Sequence, residues 1–306
     1  MQIEEHATRQ RWQIPNVTSP GADITINGWD FGGPAEGGIA LLHHANGMCA
    51  ALWAPVARLL TEHYRVIAID ARGHGDSDAP EVPDNYPWSA FVADLTTVAE
   101  RICESVGVDQ IRRGIGSSFG GIVTAAAEAR TPGLFHQITM LDPPIHPTQE
   151  LIAALGVSLE IPPSQREGIV AQTLRRRSVW PDRDAAREAW RDKPLFAPWR
   201  DEAFTLYLDE GMADLPNGEV RLKCDPTVEA HIFASTGSLG FLDYGPYVQA
   251  PVHLVHAKQG FFPFDFYAEL AKRFPKCTLL QLDAGHMLPL EAPEAVVELI
   301  MKTSVD

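Results

Sequence analysis

The fold of this chain is decided by one stretch of its sequence, Arg112-Arg113-Gly114-Ile115-Gly116-Ser117-Ser118-Phe119-Gly120-Gly121. A short apolar strand enters the pattern Gly-x-Ser-x-Gly, with Ser118 at its centre, and continues directly into a helix of small residues. Small residues around a serine let the backbone turn sharply from strand to helix, and that turn presents the hydroxyl at the edge of a sheet. The stretch therefore predicts a strand-turn-helix unit in which Ser118 is a nucleophile.

On both sides of this unit, strand-like runs alternate with amphipathic helical runs. Strands are predicted at Ile24–Phe31, Gly38–His43, Tyr64–Asp70, Ile111–Gly116, His136–Asp142, Val252–Ala257 and Cys277–Leu282. Helices are predicted at Ala51–His63, Trp88–Val106, Phe119–Arg130, Phe264–Arg273 and Pro293–Lys302. This alternation predicts the α/β class, with a mostly parallel, twisted sheet and helices on both of its faces.

The pattern changes between residues 143 and 236, where four helix-like runs occur and no convincing buried strand is found. Because this segment interrupts the succession of strands, we expect an inserted helical cap that acts as a lid at the carboxyl edge of the sheet. The predicted domains are a core of residues 1–142 and 237–306 and a cap of residues 143–236.

Composition limits the classes of function. The chain has 306 residues, 45% of them hydrophobic and 21% charged, which is typical of a globular protein. A formal net charge of −15 argues against binding to nucleic acid or to an anionic membrane surface. No membrane-spanning run or secretory signal is recognisable, and four scattered cysteines suggest free thiols, so we expect a cytoplasmic location.

A serine nucleophile needs a base, and the base needs an acid that orients it. The sequence Asp283-Ala284-Gly285-His286 follows a predicted buried strand and precedes the last helix. His286 therefore lies in a loop at the carboxyl end of a strand, where its ring can reach Ser118. We expect His286 to be the catalytic base.

The acid is less obvious. In many proteins with a serine nucleophile on such a strand-turn-helix unit, the acid follows the next-to-last strand of the sheet. In this chain, Gly260 stands at that position. The alternative place is the end of the strand after the nucleophile's helix, where Asp142 precedes two prolines. We favour Asp142, and Asp265 and Asp283 remain competitors.

The oxyanion of an acyl-transfer intermediate needs two hydrogen-bond donors. One is predicted to be the backbone N–H of Phe119, directly after the nucleophile. The other is expected in the loop that follows an early strand, at Asn46, with Gly47 as a close rival. His43 and His44 in this loop are adjacent and lack a suitably spaced third ligand, so we predict neither a metal site nor a cofactor.

Together, the loop around His44, the turn Arg72-Gly73-His74-Gly75, Ser118 and His286 resemble the α/β-hydrolase family over nearly the whole chain. The resemblance implies a hydrolase with a Ser-His-acid triad. Haloalkane dehalogenases and epoxide hydrolases of this family use an aspartate nucleophile, so Ser118 argues against both activities.

A narrower similarity involves the residues around Ser118, the sequence Leu141-Asp142-Pro143, and Val179–Arg183 in the cap. These are similar to a branch that includes polyketide-pathway acyl-CoA hydrolases, in which the acid follows the strand after the nucleophile's helix. That branch implies Asp142 as the acid. Ser117 is a departure from it, since a histidine usually precedes the nucleophile there.

The leading hypothesis is therefore a serine hydrolase that acts on a small-molecule acyl substrate, namely a carboxylic ester, lactone or thioester. A second hypothesis is hydrolysis of a carbon–carbon bond in a β-diketone or ring-fission product, for which the cap residues Arg175–Arg177 could hold a carboxylate. A third is a binding protein that keeps the hydrolase scaffold without turnover.

Overall fold

A computed structural model describes residues 3–82, 84–144, 163–235 and 241–302. Its strands are β1 Thr8–Pro15, β2 Asp23–Gly32, β3 Ile39–His43, β4 Arg65–Ile69, β5 Arg113–Ser117, β6 Ile138–Leu141, β7 Val179–Trp180, β8 Met212–Asp214, β9 Val220–Leu222, β10 Val252–Gln259 and β11 Cys277–Gly285. Its α-helices are α1 Ala54–Leu60, α2 Trp88–Val106, α3 Phe119–Arg130, α4 Pro163–Leu174, α5 Arg183–Trp190, α6 Asp201–Glu210, α7 Pro226–Ala234, α8 Phe241–Tyr244, α9 Phe264–Ala271, α10 Leu288–Glu291 and α11 Pro293–Lys302.

Eight of the strands form one sheet, in the order β1-β2-β4-β3-β5-β6-β10-β11. The first two strands in this order pair antiparallel with their neighbours. The remaining pairs, from β4-β3 to β10-β11, are all parallel. The prediction of an α/β fold with a mostly parallel sheet is confirmed.

Helices cover both faces of this sheet. In β3, Ala40 and Leu42 belong to the apolar cluster that includes α1 and α11, and Leu41 belongs to the opposite cluster with α2 and α3. A strand that is buried on both faces reads as a continuous apolar run, which is why the central strands are visible in the sequence. Among the described helices, none is both long and apolar enough to cross a lipid bilayer.

The edge strand β1 is absent from the predicted strands. Of its eight residues only Ile14 is buried, and the others are half-buried or exposed. An edge strand that contributes one side chain to the core has no apolar periodicity to recognise. It is held in the sheet by backbone pairing with β2, from Thr8 opposite Asp30 to Pro15 opposite Asp23.

The segment between β6 and β10 differs from the expectation of helices alone. Within it, residues 163–235 contain helices α4 to α7 and also a three-stranded antiparallel sheet in the order β7-β9-β8. These strands have two or three residues each, too few to show an alternating pattern. The recognisable signal is Asn217-Gly218 between β8 and β9, where Gly218 has a φ of +87°. Residues 145–162 and 236 lie outside the described part, and the cap boundaries stay a prediction.

The register of the parallel strands places their carboxyl ends side by side. His43 of β3 lies opposite Gly116 of β5, and Ser117 lies opposite Leu141 of β6. Leu141 lies opposite Val255 of β10. Loops that follow these strands therefore meet at one edge, the usual place for a ligand in an α/β sheet.

Candidate active site

Ser118 occupies the turn between β5 and α3 with a φ of 52° and a ψ of −119°, a combination that side-chain-bearing residues rarely adopt. The flanking glycines make this turn possible. A Cβ on Gly116 would lie 2.3 Å from the Gly120 backbone, and a Cβ on Gly120 would lie 2.3 Å from the carbonyl oxygen of His43. The small residues of the motif are therefore required by close backbone contacts.

Three of the predicted site residues form one continuous chain of hydrogen bonds. The Ser118 Oγ lies 3.0 Å from Nε2 of His286, and Nδ1 of the same ring lies 2.7 Å from Oδ2 of Asp142. A carboxylate can only accept, so the imidazole carries its proton on Nδ1 and its Nε2 accepts from the serine hydroxyl. This is the arrangement in which a serine can lose its proton to an imidazole.

Asp142 is held by its second oxygen as well. Its Oδ1 accepts hydrogen bonds from the backbone N–H of Ala257, at 2.9 Å, and from the hydroxyl of Tyr267, at 2.7 Å. Asp142 is fully buried and has a φ of 44°. Burial and then the neighbouring carboxylate raise the pKa of Tyr267, so its hydroxyl stays a donor. Sequence reasoning missed Tyr267, whose only signal is its place on the buried face of α9.

The structure explains why position 260 is a glycine. A Cβ on Gly260 would lie 2.7 Å from Oδ2 of Asp142, the oxygen that faces His286. A side chain at position 260, where the acid usually stands, would therefore enter the space that the side chain of Asp142 fills. The two competing acids lie elsewhere, since Asp265 is exposed at the start of α9 and Asp283 is an exposed acceptor from Gln259.

The two predicted oxyanion donors are the backbone N–H groups of Phe119 and Asn46. Within the described residues, no hydrogen-bond partner is found for the backbone N–H of Phe119 or of Asn46. Phe119 is the first residue of α3, where a free N–H is expected. The alternative donor, Gly47, is occupied, because its N–H donates to Nε2 of His74 over 3.0 Å. The geometry therefore favours Asn46 over Gly47.

Three buried histidines lie at the loop that carries Asn46, and two of them, His44 and His74, support it through backbone hydrogen bonds. His44 accepts the N–H of Ala71 on Nε2, at 2.9 Å, and donates from Nδ1 to the carbonyl of Ala45. His74 similarly donates from Nδ1 to the carbonyl of Arg72. Burial lowers the pKa of His43 to about 4 and the pKa values of His44 and His74 to about 3. Their rings are neutral, and backbone groups occupy both nitrogens of His44 and of His74.

An aromatic side chain marks the solvent side of the site. The ring of Phe261 lies 4.7 Å from the ring of His286, between centroids, yet Phe261 is 71% exposed. His286 itself is largely buried, with 14% of its side chain accessible. Phe261 is therefore placed to contact a molecule that approaches His286. Its sequence signal is the unusual apolar loop Gly260-Phe261-Phe262-Pro263.

Comparison with curated proteins finds partial matches. Epoxide hydrolase 4 of Mus musculus is 29% identical over 96 residues, or 31% of this chain and 25% of that protein. A non-heme chloroperoxidase of Streptomyces lividans is 34% identical over 119 residues, 38% of this chain and 40% of the relative. The pimeloyl-[acyl-carrier protein] methyl ester esterase of Methylococcus capsulatus is 34% identical over 101 residues, 33% and 35% of the two chains. The matched stretches thus span well under half of these relatives.

Comparison with solved structures extends the fold over almost the whole chain. The crystal structure of E-2-(acetamidomethylene)succinate hydrolase aligns with a TM-score of 0.75 and covers 96% of this chain and 98% of that one. Its sequence identity of 17% supports a shared fold and nothing narrower. The family model described as alpha/beta hydrolase fold matches residues 41–293, from β3 to the start of α11. This chain therefore belongs to the α/β-hydrolase fold family.

Proposed function

We propose that this α/β hydrolase cleaves a carboxylic ester, lactone or thioester of a small molecule through an acyl-enzyme formed on Ser118. The observation that carries the proposal is the hydrogen-bonded chain from Ser118 through His286 to Asp142, at 3.0 Å and 2.7 Å. The esterase among its relatives supports the ester class.

In the first half-reaction, the Ser118 Oγ attacks the carbonyl carbon while its proton passes to Nε2 of His286. The ring then carries two protons and a positive charge, which the carboxylate of Asp142 stabilises through Nδ1. The carbonyl oxygen becomes an oxyanion that accepts hydrogen bonds from the N–H groups of Asn46 and Phe119. Such a donor contributes about 3 to 4 kcal/mol to the stability of the transition state.

Collapse of this intermediate breaks the bond to the leaving group. The departing alkoxide or thiolate takes the proton from Nε2 of His286, which leaves an acyl ester on Ser118 and a neutral imidazole. A water molecule then loses a proton to the same nitrogen and attacks the acyl carbon, and the second collapse returns the proton to Ser118. Every proton transfer uses one nitrogen, so the orientation of the ring by Asp142 matters in both halves.

The carbon–carbon hydrolase alternative has less support from the cap. Arg176 pairs with Glu229 and also donates to the Tyr207 hydroxyl. Arg177 donates to the carbonyl of Val179 and stacks over Trp180. Two of the three arginines that could hold a substrate carboxylate are thus engaged within the cap.

Labelling with a fluorophosphonate followed by intact-mass analysis tests the nucleophile. We expect one adduct on the wild type, none on Ser118→Ala, and slower labelling of Asp142→Asn. A folded wild type that takes up no label would contradict the proposal and favour a binding protein without turnover.

A substrate panel then separates the bond classes. We expect turnover of p-nitrophenyl acetate, acetyl-CoA or γ-butyrolactone, and none of pentane-2,4-dione. Cleavage of the diketone alone would replace the proposal with carbon–carbon bond hydrolysis, and Ser118→Ala should abolish whichever activity is found.

A further inference from the structure

The cap contacts the loop that carries the proposed oxyanion donor at two points on helix α7. The side-chain amide of Asn46 donates to the backbone carbonyl of Glu229 over 3.0 Å. The carboxylate of Glu229 lies against Gly47, where an added Cβ would be 3.0 Å from both Cδ and Oε1. Glu229 thus accepts a hydrogen bond from the residue that offers the donor and lies beside the residue after it.

The Glu229 carboxylate is buried, with 9% of its side chain accessible, and forms an ion pair with Arg176, which follows the end of α4. Arg176 also donates to the hydroxyl of Tyr207 on α6 over 3.1 Å. Burial raises the pKa of Glu229, and the positive charge of Arg176 partly offsets that effect. Residues from α6, α7 and the segment after α4 therefore converge on one charge pair beside the Asn46 loop.

Glu229 has two opposite consequences for the proposed reaction. Its backbone carbonyl anchors the loop, because it accepts the side-chain amide of Asn46 and so limits the direction of the Asn46 N–H. Its carboxylate, a negative charge against Gly47 in a water-poor site, would oppose a developing oxyanion there unless a cation neutralises it. Arg176 is the cation that contacts it.

We propose that Glu229 and Arg176 are positioning residues, with Glu229 fixing the oxyanion loop and Arg176 cancelling its charge there. The inference rests on the proposed function, because it assigns the Asn46 N–H as an oxyanion donor. It also assigns a role to the cap beyond covering the site, since the contact of Glu229 on α7 with Asn46 holds one of the two donors.

The test is a charge-removal cycle read out by kcat and KM for p-nitrophenyl acetate. Arg176→Gln leaves Glu229 uncompensated, and we expect kcat to fall about 30- to 100-fold with KM changed less than threefold. Glu229→Gln keeps the shape and removes the charge, so kcat should fall less than tenfold. The double variant should return to the kcat of Glu229→Gln, because no charge remains to oppose the oxyanion.

The matched control is Arg183→Gln, which removes another partly buried cap arginine, one that pairs with Asp214 away from the loop. Its kcat should stay within twofold of the wild type. If Arg176→Gln does not fold, Arg176→Lys serves instead, since it keeps the charge and should retain at least a third of kcat.

A double variant as slow as Arg176→Gln, or wild-type kcat in both single variants, would overturn the inference. So would an Arg176→Lys enzyme that is folded but loses more than 30-fold in kcat. These outcomes differ from failure of the proposed function, in which the wild type neither turns over the ester nor reacts with fluorophosphonate at Ser118.

Discussion

The carboxyl edge of the sheet and the cap hold the side chains of the proposed site in different ways. At the edge, Ser118 and Asp142 have φ angles of 52° and 44°, and glycines at positions 120 and 260 leave no space for a Cβ. In the cap, Arg176 and Glu229 are held by contacts between side chains. Changes at the edge therefore act on the backbone or on the reacting atoms, whereas changes in the cap act through charge and can be reversed by a second substitution.

The largest expected effect concerns the edge. Ser118→Ala should lower kcat about 10⁵- to 10⁶-fold, because the nucleophile is lost while the fold remains. Ser118→Gly should be equally inactive but more stable than Ser118→Ala by about 1 to 2 kcal/mol, since glycine adopts this φ without strain. Single-turnover kinetics and urea unfolding measure the two effects. Equal stability of the two variants would mean that the turn carries no strain.

A second prediction tests whether the edge tolerates a relocated acid. Asp142→Gly should lower kcat about 10³- to 10⁴-fold, because the imidazole loses its orienting partner. Adding Gly260→Asp should recover at least tenfold, since a side chain at position 260 enters the space that Asp142 vacates. Gly260→Asp alone should be impaired by crowding and like charge. No recovery in the double variant would show that closeness to His286 is insufficient for the acid.

A third prediction concerns the neutral histidines beneath the Asn46 loop. Their folded pKa values of about 4 for His43 and 3 for His44 and His74 lie below the unfolded value of 6.5. Below pH 6.5 the unfolded chain therefore binds more protons than the folded one. The contribution of these histidines to the free energy of unfolding is fully present above that pH and is lost as the pH falls. Each histidine contributes about 1.4 kcal/mol per pH unit to the slope.

Asp70 changes the free energy of unfolding with pH in the opposite direction, because burial raises its pKa to about 6. Between pH 6 and 4, its effect on the pH slope of the free energy of unfolding cancels that of about one of the three histidines. Urea unfolding at pH 7, 6 and 5 measures how the free energy of unfolding changes with pH. His74→Gln should reduce this slope by the contribution of one histidine, about 1.4 kcal/mol per pH unit. A slope that His74→Gln leaves unchanged would contradict the neutral state of that ring.

The smallest expected effect lies at the solvent side of the site. Phe261→Ala should leave the melting temperature unchanged, because Phe261 is 71% exposed. It should lower kcat/KM for p-nitrophenyl hexanoate about two- to tenfold, from about 1 kcal/mol of lost apolar contact, and leave the acetate unaffected. Tyr247→Ala, at another exposed aromatic residue, is the control. Equal losses for both esters would place Phe261 outside the acyl-binding region.

The sheet and its carboxyl edge are largely predictable from the sequence, whereas the contacts made by the cap are not. The parallel sheet is predictable because its central strands are buried on both faces, and Ser118 and Asp142 each follow such a strand. His286 follows the edge strand β11, which is mostly half-buried or exposed, so the expectation of a buried strand there is wrong, although the strand's place before the last helix is predictable. The catalytic roles of these three residues remain predictions. Tyr267 and Glu229 are not recognisable in the sequence, since they meet Asp142 and Asn46 across separations of 125 and 183 residues. The cap strands are too short to form a pattern.

The space shared by Asp142 and position 260 has a consequence for evolution. If Asp142 is the acid, we expect its two possible places to be exchangeable only together. Losing Asp142 first removes the proposed acid, and gaining an aspartate at position 260 first crowds it, so we expect each single change to be harmful and the pair to be tolerated. Such reciprocal sign epistasis would follow from the lack of room for one Cβ beside Asp142.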